Sequence, residues 1–277
     1  MIPLPERVVL ETITTCNLRC VYCPTGQGFI RRDKFMSGAT LRRAIDQIRP
    51  FAKLVYIEYM GEPLLDERLP DIIEEVSQFA KIDLATNGTM IEPWMLDHLL
   101  KCDTLSVTIS ALDECYEKVH GRPLYERAMR GLQLLAETGH PHLSWTWVTT
   151  NISEHQIPEA RRRAEAMGVH LGVKGCGLGL SSRHLAPESP QLSRYIGPRL
   201  KADRATCREF WSAGCICSDG SVVGCGFDWP VLAPAGDINK TPFAEIWNGP
   251  IYQRWRKNRI AGRVTHPACR FLCGWQG

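Results

Sequence analysis

Strand-like and helix-like segments alternate along this 277-residue chain up to residue 174. The strand-like segments are short and rich in β-branched residues, and the segments between them carry apolar residues at helical spacing. The predicted strands are residues 7–13, 54–59, 81–85, 105–109, 143–149 and 169–174, and the predicted helices are residues 40–48, 69–80, 92–100, 124–138 and 154–167. This order predicts a parallel sheet with right-handed crossovers that curves into part of a barrel, with its chemistry at the carboxyl ends of the strands.

The rhythm breaks at residues 175–198, which are rich in Gly, Pro and Ser and predict a linker or a loop that closes over the site. Short strand-like pieces then follow around Cys215 and Val222, and a single helix is predicted over residues 243–258. The predicted fold class is therefore α/β: a partial (β/α)6 barrel over residues 1–198, with a small C-terminal α+β domain over residues 199–277.

Composition excludes several classes of protein. The chain is 44% hydrophobic with a net charge of +3, which excludes intrinsic disorder. No window of about 18 residues lacks charges, and the N-terminus lacks the pattern of a signal peptide, so we expect a cytoplasmic protein without a membrane span. Arginine-rich stretches at residues 161–163 and 254–259 are interpreted as solvated helix faces, so no nucleic-acid partner is expected.

Cysteine is unusually frequent, with twelve residues and no export signal, which favours metal or redox chemistry over disulfides. Cys16, Cys20 and Cys23 follow the first predicted strand with the spacing C-x3-C-x2-C. Thiolates suit iron–sulfur clusters or zinc, but a structural zinc ion takes four protein ligands. An open triad therefore favours an iron–sulfur cluster with a non-protein fourth ligand, and a zinc knuckle completed by a distant His is the alternative.

The segment CNLRCVYC after the first strand of a partial barrel resembles the radical S-adenosylmethionine (radical SAM) superfamily. The resemblance implies that Cys16, Cys20 and Cys23 hold a 4Fe–4S cluster whose open iron is chelated by the methionine moiety of S-adenosylmethionine. It also implies cleavage to a 5′-deoxyadenosyl radical, which abstracts hydrogen from a substrate. An external one-electron reductant such as flavodoxin or ferredoxin is implied as a partner.

Further motifs stand at the strand ends where the barrel rule expects them. Gly61, Glu62 and Pro63 resemble the family's GGEP motif, which binds the methionine amino group, although Met60 replaces its first Gly. Thr86 and Asn87 resemble the TNG turn near the ribose. The resemblance implies three more contacts: an aromatic against adenine, a polar contact at the end of the fourth strand, and a carboxylate partner. These are Tyr22, Ser110 and Arg122, respectively.

A second set of cysteines lies in the C-terminal segment, around a predicted hairpin with an Asp219-Gly220 turn. The layout resembles the twitch module, a shortened SPASM domain, and implies a fully ligated auxiliary 4Fe–4S cluster that transfers single electrons. A structural zinc ribbon is the alternative, and the final C-x3-C spacing departs from the commoner C-x2-C. The implied ligands are Cys207, Cys225, Cys269 and Cys273.

Three other cysteines are candidates for catalysis. Cys215 and Cys217 are two apart on a predicted strand, so their side chains point to one face. They are interpreted as a spare cluster ligand, a hydrogen donor through the weak S–H bond, or small buried fillers. Cys176 lies in a loop near the predicted barrel mouth.

Polar substrate contacts are expected from side chains at the barrel mouth, and the candidates are Tyr56, Glu58, Trp147, Lys174 and Arg183. For Trp147, as for Trp145, packing is the alternative and the commoner role. Glu58 is the most suggestive catalytic candidate, because a carboxylate on a central parallel strand is costly unless it is paired or used. A salt bridge to a neighbouring Lys or Arg is the alternative.

Only 15 residues precede Cys16, whereas peptide-modifying relatives usually carry a leader-binding domain there, which favours a small-molecule substrate. Relatives with this short plan, such as 2-deoxy-scyllo-inosamine dehydrogenase, act on aminocyclitols and sugars. We therefore expect oxidation of a carbinol to a ketone, with the auxiliary cluster accepting an electron. The alternatives are epimerisation with a Cys thiol as hydrogen donor, peptide maturation, and a non-catalytic iron–sulfur carrier.

Overall fold

A nine-stranded sheet forms the centre of the computed structural model, which describes residues 2–28, 35–177, 180–196, 199–200, 207–264, 266–271 and 273–274. The strands are β1 Arg7–Leu10, β2 Leu54–Ile57, β3 Lys81–Thr86, β4 Thr104–Thr108, β5 Leu143–Thr149, β6 His170–Gly175, β7 Tyr195–Ile196, β8 Arg199–Leu200, β9 Ala213–Ile216, β10 Ser221–Val223 and β11 Pro234–Asp237. The helices are α1 Gly38–Ile48, α2 Leu69–Ser77, α3 Leu96–Leu99, α4 Asp113–His120, α5 Tyr125–Glu137, α6 Ile157–Ala166, α7 Glu209–Ser212, α8 Phe243–Trp247, α9 Pro250–Ile260 and α10 Pro267–Phe271.

The strand order β11-β10-β9-β1-β2-β3-β4-β5-β6 places β1 to β6 side by side in chain order, all parallel. This confirms the predicted parallel α/β core. The C-terminal segment joins the same sheet, because β9 pairs in parallel with β1 and β10 pairs antiparallel with β9. The division of the chain at residue 198 stays a prediction, and the hydrogen-bonded sheet continues across it.

The two faces of the sheet differ, as the period of two residues in the strands requires. Val8, Val55 and Ile82 are fully buried in one apolar cluster with side chains from helices α1 and α2. The alternate residues Tyr56 and Asp83 lie on the opposite face, which we call the inner face. No helix among the described residues has the length and apolar character needed to cross a membrane.

Three helix predictions differ from the structure. The helix predicted over residues 154–167 begins as a 3₁₀ turn, Glu154–Gln156, before α6. The helix predicted over residues 243–258 is two helices, α8 and α9, separated at Asn248 and Gly249. Pro250 begins α9, since a proline without an N–H is tolerated in a first turn but not within a helix. The helix predicted over residues 92–100 begins as a 3₁₀ turn, Pro93–Met95, and only α3 is α-helical.

Helix α4 was not predicted, and it holds the segment that carries the first three cysteines. The Arg19 N–H donates to the His120 carbonyl at 2.9 Å, and the Val21 N–H donates to the Val119 carbonyl at 2.9 Å. Gly121 ends the helix in the left-handed conformation, with φ of 69°. A Cβ at Gly121 would lie 2.6 Å from the Arg19 carbonyl oxygen, so only glycine allows this close approach.

Replacing Gly121 with Ala should destabilise the protein more than replacing Gly139. Both glycines have φ of 69°, but nothing lies within 4 Å of a Cβ at Gly139. We expect Gly139→Ala to cost about 1–2 kcal/mol of unfolding free energy through backbone strain. Gly121→Ala should cost a further ~1–3 kcal/mol, because the added methyl group overpacks against backbone. Urea unfolding of the metal-free protein measures both, and equal costs would contradict the close approach.

Candidate active site

The first three cysteines lie together in the cluster loop, residues 16–23, which follows β1. Their thiols interact electrostatically with one another, and burial raises the pKa of Cys16 to about 11. The Leu18 N–H donates to the Cys16 sulfur at 3.4 Å. N–H groups aimed at sulfur are the environment that a thiolate ligand requires, so these residues fit an iron–sulfur cluster.

Within the described ranges, no three or more His, Cys, Asp or Glu side chains surround a position for a single metal ion. A 4Fe–4S cluster makes a different demand, because it distributes its thiolate ligands over separate irons. The contacts of the sulfur atoms in the cluster loop are therefore what bears on its fit to such a cluster.

Glu62 joins the turns that follow β2 and β3. Its buried carboxylate accepts hydrogen bonds from the Leu64 N–H at 3.1 Å, the Thr86 hydroxyl at 2.6 Å and the Asn87 N–H at 2.7 Å. Burial raises the pKa of Glu62 and outweighs the lowering effect of these three donors. The structure therefore gives this carboxylate a role in holding two predicted motifs together.

Gly61 and Pro63 shape the same turn. A Cβ at Gly61 would lie 2.3 Å from the Ile13 carbonyl oxygen, so the turn after β2 needs glycine at this position to pack against the chain that leaves β1. The Glu62 N–H donates to the Thr15 carbonyl at 2.9 Å. Pro63 is buried and begins a 3₁₀ turn, Pro63–Leu65. The predicted binding of the methionine amino group by this motif stays a prediction.

Asn87 connects the turn after β3 to the cluster loop. Its amide nitrogen donates to the Asn17 side-chain oxygen at 2.8 Å and lies 3.8 Å from the Cys16 sulfur. Its oxygen accepts from the Thr89 N–H at 2.9 Å. The sequence analysis did not identify Asn17 or Thr89. The sequence feature that could have indicated Asn17 is its short amide side chain directly after Cys16.

Ser110 and Tyr22 meet beside the cluster loop. Their hydroxyl oxygens are 3.0 Å apart, and the Ser110 oxygen also accepts the Val148 N–H at 3.0 Å. The Ser110 N–H donates to Nε2 of His120 at 2.9 Å, and Nδ1 of that ring lies 3.2 Å from the Cys20 sulfur. The sequence analysis missed His120, because it is 100 positions away from Cys20 in the chain.

Arg122 is exposed in the segment after α4, and its side chain makes no hydrogen bond or ion pair with the described residues. The structure therefore does not bring it into the network around the cluster loop. Its predicted role as a carboxylate partner stays a prediction.

The inner face carries a charged group formed by Glu58, Asp83 and Lys174. Burial and, to a smaller extent, Asp83 raise the pKa of Glu58, while Lys174 lowers it. Burial likewise raises the pKa of Asp83, and Lys174 again opposes the shift. Neither carboxylate forms an ion pair with the described residues, so the simple salt bridge considered for Glu58 is not what the structure shows.

The other three candidates for substrate contact differ in position. Tyr56 is partly buried on the inner face. Arg183 is exposed in a 3₁₀ turn, Leu180–Leu185. Trp147 is not at the barrel mouth: it packs in the large apolar core, fully buried with the strand residues that face the helices, which is the alternative considered for it. The alternation of β5 puts both of its Trp side chains on that side.

The second set of cysteines also comes together. Cys269 and Cys273 are buried in one apolar cluster with Cys207 against it, and Cys225 interacts electrostatically with Cys269 and Cys273. The Phe227 N–H donates to the Cys225 sulfur at 3.4 Å. Burial raises the pKa of Cys273 to about 12. Four thiols that converge from the segment before α7, the turn after β10 and the C-terminal end fit a closed iron–sulfur site.

Cys215 and Cys217 occupy one buried apolar cluster with Val223, and Tyr59 packs against it. Their shared side of the sheet is as predicted, although β9 ends at Ile216. Next to them lies Glu11, a buried carboxylate that accepts the Ser218 N–H at 3.0 Å and that the sequence analysis missed.

Cys176 lies elsewhere. Cys176 is buried in one cluster with Val148 and Leu185, and Tyr22 packs against this cluster. The thiol of Cys176 donates to the Leu185 carbonyl at 3.9 Å. The three candidate thiols therefore belong to two separate places on the sheet.

Comparison with known proteins defines the class. Residues 10–176 match the radical SAM superfamily, and residues 207–274 match the SPASM family, described as an iron–sulfur cluster-binding domain. The chain belongs to the radical SAM superfamily and carries a SPASM-type domain after its partial barrel. Radical SAM and SPASM domains bind 4Fe–4S clusters and S-adenosylmethionine, and the protein is a radical SAM enzyme.

Particular relatives differ in what they do. The AdoMet-dependent heme synthase of Methanosarcina barkeri is 24% identical over 91% of this chain and 85% of its own. The structure of BtrN in complex with AdoMet and 2-DOIA is similar with a TM-score of 0.65 and 18% identity, covering 99% of this chain and 93% of BtrN. The structure of Streptococcus suis SuiB bound to the precursor peptide SuiA is similar with a TM-score of 0.73 and 17% identity, covering 98% of this chain and 70% of SuiB.

Removing a ligand of the second site should halve the iron content. Two 4Fe–4S clusters correspond to about eight irons per chain. We expect Cys225→Ala to retain about four, because an incomplete thiolate set leaves the auxiliary cluster without a ligand. Cys215→Ala and Cys217→Ala are the matched controls, since these thiols are buried nearby but outside the four, and both should keep about eight. Iron analysis after anaerobic reconstitution gives the counts, and iron loss in a control variant would instead make that thiol a ligand.

Proposed function

We propose that this protein is a radical SAM dehydrogenase that oxidises a carbinol of a polar small molecule to a ketone. The substrate class is an aminocyclitol, an aminoglycoside or a sugar. Cys16, Cys20 and Cys23 hold the first cluster, and the C-terminal set of four cysteines holds the second. When bound, these cofactors supply removal of one hydrogen atom from the substrate carbon and an acceptor for one electron. Flavodoxin or ferredoxin is the proposed external reductant.

The observation that carries the proposal is the charged group on the inner face of the sheet. Two carboxylates, Glu58 and Asp83, are opposed there by one ammonium group of the described residues, that of Lys174. The excess of negative charge favours a substrate that carries amino groups, because a cation compensates carboxylates that are costly to bury. Polar side chains on the same side of the sheet, such as Ser106 and Thr146, suit a ligand rich in hydroxyl groups.

Glu58 is the proposed proton acceptor. Conversion of a carbinol to a ketone removes a hydrogen atom from carbon, a proton from the hydroxyl group and one electron. A carboxylate whose pKa is raised by burial is a stronger base than a solvated one, which suits it to receive the hydroxyl proton. Lys174 opposes this shift in the pKa of Glu58 and so favours the ionised carboxylate, the form that accepts a proton.

The similarity to the BtrN complex with 2-DOIA supports a small-molecule substrate, because it extends over nearly the whole of both chains. The similarity to peptide-bound SuiB supports peptide maturation as a competing activity, although it covers less of that protein. A substrate panel separates them: 2-deoxy-scyllo-inosamine, an amine-free cyclitol, a neutral sugar and a precursor peptide. Formation of 5′-deoxyadenosine only with the peptide would overturn the proposal, and none with any compound would favour the iron–sulfur carrier.

Replacing Glu58 with Gln should separate radical formation from product formation. We expect ketone formation to fall by about 10²–10⁴-fold because the proton acceptor is lost, while 5′-deoxyadenosine forms at a near-normal rate. Asp83→Asn is the control: it removes a neighbouring charge but not the acceptor, so it should raise KM for amine-bearing substrates more than it lowers kcat. The ratio of ketone to 5′-deoxyadenosine is the measurement. An unchanged ratio in Glu58→Gln would exclude Glu58 as the acceptor.

Epimerisation is the second candidate, and the buried pair Cys215 and Cys217 beside Tyr59 favours it. In deuterated water, an epimerase product carries solvent deuterium on carbon. The donor thiol exchanges its hydrogen for deuterium and then transfers that deuterium to the substrate carbon. Under the dehydrogenase proposal, the product is a ketone without carbon-bound deuterium, and Cys215→Ala and Cys217→Ala keep more than half of the activity. Loss of product with continued 5′-deoxyadenosine formation in either variant would favour epimerisation.

A further inference from the structure

Cys20 differs from the other thiols of the cluster loop in the side chain that contacts it. Nδ1 of His120 lies 3.2 Å from its sulfur. The Cys16 sulfur, in contrast, accepts a backbone N–H at 3.4 Å and has an amide nitrogen at 3.8 Å. The imidazole contact is the shortest of these three contacts to sulfur.

The protonation state of His120 follows from its second nitrogen. Nε2 accepts the Ser110 backbone N–H at 2.9 Å, so it carries no proton. His120 is 1% exposed, and because one of its ring nitrogens is an acceptor, the imidazole is neutral. Its single proton is therefore on Nδ1, and Nδ1–H donates to the sulfur of Cys20.

The position of the ring is fixed from several sides. Tyr116 stacks on it with ring centroids 4.3 Å apart and planes inclined by 25°. Tyr22 contacts it edge-on with centroids 6.2 Å apart. The backbone hydrogen bonds from Arg19 and Val21 to the end of α4 hold the cluster loop in register with the histidine. Reorientation of the imidazole away from Cys20 would break these contacts.

We propose that His120 is a positioning residue that raises the reduction potential of the N-terminal cluster, through a hydrogen bond from Nδ1–H to the Cys20 thiolate. A reduced cluster carries one more negative charge than an oxidised one, and a donor aimed at a ligating sulfur stabilises that charge. The interaction is strong because the imidazole is excluded from water. Ser110 acts through its backbone N–H, which selects the tautomer. These contacts involve the cluster loop, His120 and Ser110, so the effect on the potential is independent of the substrate.

Replacing His120 with Phe tests the proposal, since Phe preserves a ring for Tyr116 to pack against and removes the donor. The measurement is an EPR-monitored redox titration of the reconstituted holoenzyme, following the signal that changes on adding S-adenosylmethionine. We expect the ratio of reduced to oxidised cluster, at the wild-type midpoint, to fall about tenfold, which equals ~59 mV for a one-electron couple. An unchanged midpoint in a fully iron-loaded variant would overturn the proposal.

Two further variants distinguish the hydrogen bond from packing. His120→Asn places an amide N–H close to the position of Nδ1, and His120→Gln places it close to that of Nε2. The Asn variant should keep a midpoint near that of the wild type, and the Gln variant should resemble His120→Phe; equal midpoints would contradict the assignment. Should His120→Phe fail to load iron, this pair decides the question.

Tyr116→Phe is the packing control, because it retains the stacked ring and removes a buried hydroxyl that has no hydrogen-bond partner among the described residues. Its midpoint should equal that of the wild type. A shift as large as that of His120→Phe would assign the effect to packing and overturn the proposal.

Discussion

Three hydrogen bonds converge on the buried carboxylate of Glu62, and through them the ends of β2 and β3 are held beside the cluster loop. A carboxylate removed from water is costly unless donors surround it, and here each donor comes from a different position in the two turns. The Asn87 side chain then reaches the cluster loop through Asn17. The position of Cys16 relative to the strand ends therefore depends on a side chain that the family resemblance assigns to the cofactor.

The second constraint is the continuity of the sheet. β9 pairs with β1 over four residues, and Cys215 lies directly opposite Val9. The N-terminus is also joined to the C-terminal helices, because the Ile2 N–H donates to Asn248 and the Trp247 indole donates to the Pro3 carbonyl. The two sets of cysteines are consequently attached to one hydrogen-bonded framework.

The strands and the cysteine motifs could be predicted from the sequence because each is a local pattern. Residues 81–84 alternate polar and apolar side chains, and β3 is Lys81–Thr86. The first strand was predicted three residues too long, since the chain leaves the sheet after Leu10 to form the cluster loop. Helix α4 escaped prediction because it is short and buries only Tyr116, Val119 and His120, although Gly121 marks its end.

Side chains that act across the fold could not be found in the same way. The contact between His120 and Cys20 joins positions 100 apart, and that between Glu11 and Ser218 joins positions 207 apart. In the sequence, neither His120 nor Glu11 has a spacing from its partner that distinguishes it from an ordinary core residue. Trp147 shows a different limit of prediction. A Trp side chain on a strand can lie on either face of the sheet, and here it lies on the face that packs against α5 and α6.

The parallel pairing of β9 with β1 has a consequence for the nascent chain during synthesis. The ribosome releases the first six parallel strands before β9 exists, so until then β1 presents an uncovered row of backbone donors and acceptors. An edge of that kind recruits strands from other nascent copies. The last portion of the chain therefore covers an edge of the first, and we expect a product that stops short of β9 to be prone to aggregation or proteolysis.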